Sequence, residues 1–170
     1  MSPRAIVRSF VIAGMMFGAS TAIATPIDST LLTTIGVPAT IDNTDGGAFT
    51  SFDISFADAA GYDYIADRSN ASVDIINGAT NTVVAQPGGF VGHKATSSTS
   101  GPAGALVAGT GAVATLFAGD GNSNVLSFNV SNPGAPTPAF PPISPGGTFR
   151  ADEMAYSPTA HVVLVANNAD

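Results

Sequence analysis

Residues 52–76 read FDISFADAAGYDYIADRSNASVDII, and residues 152–170 read DEMAYSPTAHVVLVANNAD. The two align without a gap at an offset of 100, so that Asp53 falls on Glu153, Ile54 on Met154 and Phe56 on Tyr156. Tyr64 falls on Leu164, Ile65 on Val165 and Ala66 on Ala166. Between them, ATLFAGDGNSNVLSFNV at 114–130 sets Ala118 on Ala66 and Val125 on Val73. The spacings of 52 and 48 residues fall near the period of a β-propeller blade, where short strands recur about every 40–50 residues. Chance similarity between strands of similar composition is the competing account.

Each unit divides into short β-like runs. In the first, the candidate strands are Phe52–Phe56, Tyr62–Ala66, Ser72–Ile76 and Thr82–Ala85. Turn-formers separate them at Ala60-Gly61, Arg68-Ser69-Asn70 and Asn77-Gly78. The alternation in Phe52-Asp53-Ile54-Ser55-Phe56 and Val73-Asp74-Ile75 predicts strands with one buried face. The second unit offers Ala112–Ala118 and Val125–Val130, with a weaker first strand at Gly104–Ala108. Its fourth strand falls in the Pro-rich stretch 133–145, where proline demands an edge position. The fold class is therefore all-β, with blades of four-stranded antiparallel meanders. The units cover about 51–92, 101–148 and 149–170. Residues 25–50 read as a turn-rich entry segment in which Leu31–Ile35 could add a strand. Residues 93–103 (HKATSSTSGPA) read as a flexible loop.

The third unit holds two strands and stops, so about two and a half blades are present. A propeller closes with about four blades at the least. The pattern thus implies a fragment of a longer propeller, or chains that assemble into one ring.

Arg4 and Arg8 precede an apolar run from Phe10 to Ala24 that ends in Ala22-Ile23-Ala24. A basic start, a short apolar run and a small-x-small end describe a signal peptide at 1–24, and so a secreted or periplasmic protein. The run is diluted by Gly14, Gly18, Ser20 and Thr21 and is short of the ~20 apolar residues of a span. No membrane span is expected after cleavage. The whole chain carries 5 basic and 12 acidic residues, a net charge of -7. Cleavage leaves Arg68, Lys94 and Arg150 as its only basic residues, which excludes nucleic acid as a partner. With 0 Cys, disulfide scaffolds, thiolate zinc sites and cysteine nucleophiles are excluded. Hydrophobic residues at 45% argue against intrinsic disorder.

YIADRSNASVDIINGATNTVVAQ and LFAGDGNSNVLSFNV resemble the YVTN-type β-propeller repeats of exported bacterial proteins. Those repeats run from an aromatic-aliphatic strand through a polar turn to V-x-V-I-D and a T-N-T-V-V strand. Val73-Asp74-Ile75-Ile76-Asn77 and Thr80-Asn81-Thr82-Val83-Val84 match; in the second unit Pro-rich sequence replaces the T-N-T segment. The resemblance covers about residues 50–170. It implies a propeller, and relatives that range from surface-layer-like modules to lactonase-like enzymes.

In a four-strand meander the turn between strands two and three shares an end with the start of strand one. Asp53 and Glu153 would therefore join Asp67, Arg68 and Asn70, then Asp120 and Asn122, then Asn168, around a channel mouth. Carboxylate and amide oxygens suit a hard cation such as Ca²⁺, or a hydroxyl-rich or cationic ligand. The same residue types are what tight turns require. His93 and His161 read as surface residues, and no nucleophile elbow or phosphate loop is present. Two functions follow: an exported binding or scaffold module with no resident cofactor and an unassigned ligand or protein partner, or a lactonase-like hydrolase. The hydrolase would hold a divalent metal at the mouth, and needs three or four convergent ligands.

Overall fold

The computed structural model describes residues 33–168. The expected signal peptide, residues 25–32 of the entry segment and the last two residues lie outside that range. Among the described residues there are ten strands in three antiparallel sheets. The first sheet is a meander of β1 (Phe52–Ala57), β2 (Tyr62–Asp67), β3 (Ser72–Asn77) and β4 (Thr82–Ala85). The second is a meander of β5 (Ala105–Ala108), β6 (Thr115–Gly119), β7 (Val125–Asn129) and β8 (Thr137–Pro138). The third is the hairpin of β9 (Ala151–Ser157) and β10 (Val162–Asn167). β1 lies beside β5 and β5 beside β9, so the first strands of successive sheets line up as incomplete propeller blades do. No helix among the described residues is long and apolar enough to cross a membrane.

Turn chemistry sets the strand ends. Asp58 Oδ1 accepts from the amides of Ala60 (2.9 Å) and Tyr62 (3.0 Å), while Gly61 takes a left-handed φ of 86°, which glycine reaches without a Cβ clash. Asn77 Oδ1 closes the next turn through the amides of Ala79 (2.9 Å) and Thr80 (3.3 Å). Such side-chain-to-backbone bonds are why Asp and Asn punctuate the repeat.

Alternation then sorts the faces. On one side of the first sheet Tyr64, Val73 and Ile75 are fully buried. They join Ala105, Val107, Leu116, Ala118, Phe128 and Val130 of the second sheet and its flanks in one core. Phe90, from the connection between the sheets, meets Phe128 with ring centroids 6.3 Å apart. Burying a side chain such as Leu116 contributes about 1.5–3 kcal/mol.

The backbones approach closely where the sheets meet. A Cβ on Gly104 would stand 2.1 Å from the Asp152 carbonyl oxygen, one on Gly119 2.2 Å from that of Ala151, and one on Gly121 2.3 Å from that of Thr99. Only glycine fits at those three places.

The second unit differs in detail from the expectation. The strand expected at Ala112–Ala118 starts at Thr115, because Gly111–Val113 form a 3-10 turn. Its fourth strand is the two-residue edge strand Thr137–Pro138. Thr33–Ile35 form no strand. The stretch 93–103, expected to be a flexible loop, is tied down along its length. The Ser100 hydroxyl accepts from the Lys94 amide at 3.0 Å and donates to the Thr96 carbonyl at 3.0 Å. Gly92 and Gly101 bridge, and Ser97–Thr99 form a 3-10 turn.

Candidate functional site

β1 and β2 pair so that Phe52 faces Asp67, which puts the β2–β3 turn at the end where β1 starts. There Arg68, 8% exposed in its side chain, forms an ion pair with Asp53 through Nη2. Its Nε donates to the Pro102 carbonyl at 3.3 Å and its Nη1 to the Ser97 hydroxyl at 3.2 Å. Arg150 reaches the same hydroxyl at 3.0 Å. It grips Asp152 through Nε (2.9 Å) and Nη2 (2.8 Å), and its Nε lies 4.0 Å from Asp53 Oδ2. Two arginines and two aspartates thus compensate one another where all three sheets meet. Burial, and the Arg150 guanidinium alongside, lower the pKa of Arg68.

Glu153 is outside this cluster and exposed, whereas Asp152 is 7% exposed and inside it. The reason is register. The first hairpin pairs Ala57 with Asp63 and closes over 58–62, while the third pairs Ser157 with Val162 and closes over 158–161. One residue fewer in the turn breaks the uniform offset of 100, and a shift of one residue moves a side chain to the other face of a sheet. Asp152 stands two residues from Arg150, which lies just before β9 and grips it.

The Asp67–Asn70 turn is bound by its own chain. Asn70, 2% exposed, donates through Nδ2 to Asp67 Oδ2 (2.6 Å) and to the Pro38 carbonyl (3.1 Å). Its Oδ1 accepts from the Thr40 amide (3.0 Å) and Asn43 Nδ2 (2.8 Å). The Thr40 hydroxyl donates to the Asn70 carbonyl at 2.7 Å, and the Thr44 amide to the Ser69 carbonyl at 3.2 Å. The side chain expected to meet a ligand is saturated by Asp67 and residues 38–43. Farther along, Asp45 accepts from the Thr50 hydroxyl and bonds His93 Nδ1 at 3.0 Å; those two contacts hold its carboxyl below the usual range.

Asp74, expected on a solvated face, is fully buried. It pairs with Ile65 across the sheet while Asp67 pairs with Ser72, so Asp67 and Asp74 share the face opposite the main core. Asp74 Oδ1 accepts from Ser72 Oγ (3.2 Å) and Gln86 Nε2 (2.9 Å), while its Oδ2 has no partner. Burial, with Asp67 alongside, pushes its pKa up to about 7.

Asp120 is also buried, at 1%. Its Oδ1 accepts from the amides of Val91 (3.0 Å) and Gly121 (2.8 Å); burial raises its pKa. Asn122 is exposed, and the Asn168 amide donates to the Arg150 carbonyl at 3.0 Å. The expected residues therefore divide: Asp53 and Arg68 meet at the three-sheet junction, Asp67 and Asn70 sit under residues 38–43, and Asp120 pins the chain at Val91. Among the described residues no group of three or more His, Asp or Glu side chains converges as metal ligands would.

At the opposite end of the sheets a cleft of about 450 Å³ opens between the first two. Phe56, Tyr62, Val107, Ala114, Val130 and Pro133 line it. A smaller one of about 320 Å³ lies between the second and third, walled by Phe117, Phe140, Tyr156 and His161. His161 has φ 54° in the turn before β10. A scan of protein-family models and searches of curated proteins and of solved structures find no match to this chain.

Proposed function

We propose that this chain is an exported β-propeller-type module that binds rather than catalyses, and that its ligand lies in the cleft between the first two sheets. One observation carries the reading: the polar groups at the three-sheet junction are spent on one another, while the 450 Å³ cleft is open and largely apolar. Binding sites are concave, mostly apolar and furnished with few polar groups. Here Thr110 and Ser131 are the polar members, and Asp58 is held by its own turn and by the Tyr64 hydroxyl (3.1 Å). The hydrolase reading has less support, because its metal would have to displace Arg68 and Arg150 from Asp53, and Glu153 stands apart. Export and kinship with YVTN-type repeats rest on Arg4, Arg8, Ala22-Ile23-Ala24 and the Val73–Asn77 and Thr80–Val84 motifs.

A fragment-library screen by amide chemical shift tests the proposal. Hits should gather at residues 56–62, 107–114 and 130–133, and vanish in Thr110→Trp, which fills the cleft from an exposed position. Hits that gather instead around Arg68 and Arg150, or that survive Thr110→Trp, overturn it.

A further inference from the structure

We propose that residues 33–50 are a proton-sensitive strap: the buried Asp67–Asp74 pair holds one proton while the strap is docked, and losing that proton loosens it.

The geometry begins with two carboxyl groups on one face of adjacent strands, both fully buried. Two carboxylates in one dry site cannot both stay ionised cheaply, so such a pair keeps a proton. Asp74 carries the oxygen without a partner, which makes it the proton's holder, with Asp67 in reach as the acceptor. Two amides then join the pair to the strap. Gln86 Nε2 donates to Asp74 Oδ1 and also to the Pro38 carbonyl, each at 2.9 Å. Asn70 Nδ2 donates to Asp67 Oδ2 and also to the Pro38 carbonyl. A carbonyl oxygen only accepts, so both amides are fixed with their N–H groups toward Pro38 and toward the pair. Those N–H groups oppose a cation between the carboxyls, and a proton fits instead.

Among the described residues Asp67 is the one ionisable group acting on Asp74; Ser72 and Gln86 are neutral. A second charge between the carboxyls forces them apart and drags both amides off Pro38. The strap's other anchor is Asp45, which is faced by Thr50, Ser69 and His93. The strap is tight in mild acid and loose in mild base.

Amide hydrogen exchange on the full chain tests this, at about pH 5 and about pH 8, corrected for intrinsic exchange. The Thr40 and Thr44 amides report on the strap, since they donate to Asn70 and Ser69; the Leu116 amide reports on the core. Strap protection should fall about tenfold or more from acid to base, with core protection changed far less. In Asp74→Asn, an uncharged isostere, strap protection should be nearly independent of pH; Asp74→Thr serves if that variant does not fold. Three results overturn the proposal: wild-type strap protection that does not change with pH, an unchanged pH response in the Asp74 variant, or protection restored at pH 8 by Ca²⁺, which would make the pair a cation site.

Discussion

Replacing Asn70 by alanine removes four side-chain hydrogen bonds at one stroke. Two tie the strap backbone, to the Pro38 carbonyl and the Thr40 amide, and one reaches Asn43 at the surface. The fourth serves the buried carboxylate of Asp67 at 2.6 Å. A neutral bond contributes about 0.5–1.5 kcal/mol net and one to a charged group about 1.5–3 kcal/mol. Water replaces the Asn43 bond at little cost, but it does not reach Asp67, which has no exposed surface. The expected loss is about 3–5 kcal/mol, a large share of the ~5–15 kcal/mol that holds a domain of this kind. Urea unfolding followed by circular dichroism should show a midpoint lower by about 1–3 M at an unchanged slope. Asn70→Asp should be no better, because it adds a carboxylate beside Asp67. A loss under about 1 kcal/mol for Asn70→Ala would mean that these bonds do not form in solution, and the account of residues 38–43 as a docked segment would fall with them.

Leu116→Ala, at a fully buried core position, should cost about 2.7–5 kcal/mol in the same urea experiment; a cost near zero would mean the sheets do not pack as described. Gly121→Ala should destabilise by about 1–3 kcal/mol or more, since its Cβ would meet the Thr99 carbonyl oxygen at 2.3 Å and Val91 at 2.7 Å. Arg150→Met strands the mostly buried Asp152 and should cost about 3–5 kcal/mol, while the double change with Asp152→Leu should recover much of it; a double-mutant cycle with no coupling refutes the pairing. The Asp74 carboxyl, raised from 3.8 to about 7, binds its proton more tightly folded than unfolded. Its contribution is therefore fully present below about pH 4, lost as pH rises to about 7 and flat above, at no more than ~1.4 kcal/mol per pH unit. Wild type minus Asp74→Asn, measured by urea midpoints across that range, isolates it, and a difference that grows with pH contradicts the sign.

The strands of the first sheet were readable to within a residue at each end, and the physics behind that is local. Alternation in 52–56 and the turn signals Ala60-Gly61 and Asn77-Gly78 act over a few residues, so a short window contains them. What the sequence hid depends on distant partners. The stretch 93–103 looks loose by composition, yet Ser97 receives bonds from Arg68 and Arg150, 29 and 53 residues away. Asp74 looks like a solvated position in an alternating strand; it is buried because Pro38 and Gln86 lie over that face. The gap-free alignment sets Asp53 on Glu153 and not on Asp152, because aligned similarity does not see a turn one residue shorter. Asp53 and Arg68 were placed at one end of the sheet by topology alone, but that they would neutralise each other needed coordinates.

The glycines at 104, 119 and 121 divide the molecule into a hub and a rim with different freedoms. At the hub a single added methyl group collides with fixed backbone of the third sheet or of the Ser97–Thr99 turn, so the second sheet is locked against both by atoms that cannot move aside. At the rim the last strands run from four residues in β4 to two in β8, and the proline-rich stretch after β8 stays largely exposed. New loops or grafted peptides would therefore be accommodated along the rim beyond β4 and β8, where length already varies between sheets. Diversity introduced at the hub would be paid for in the seating of the second sheet against the third and against the Ser97–Thr99 turn.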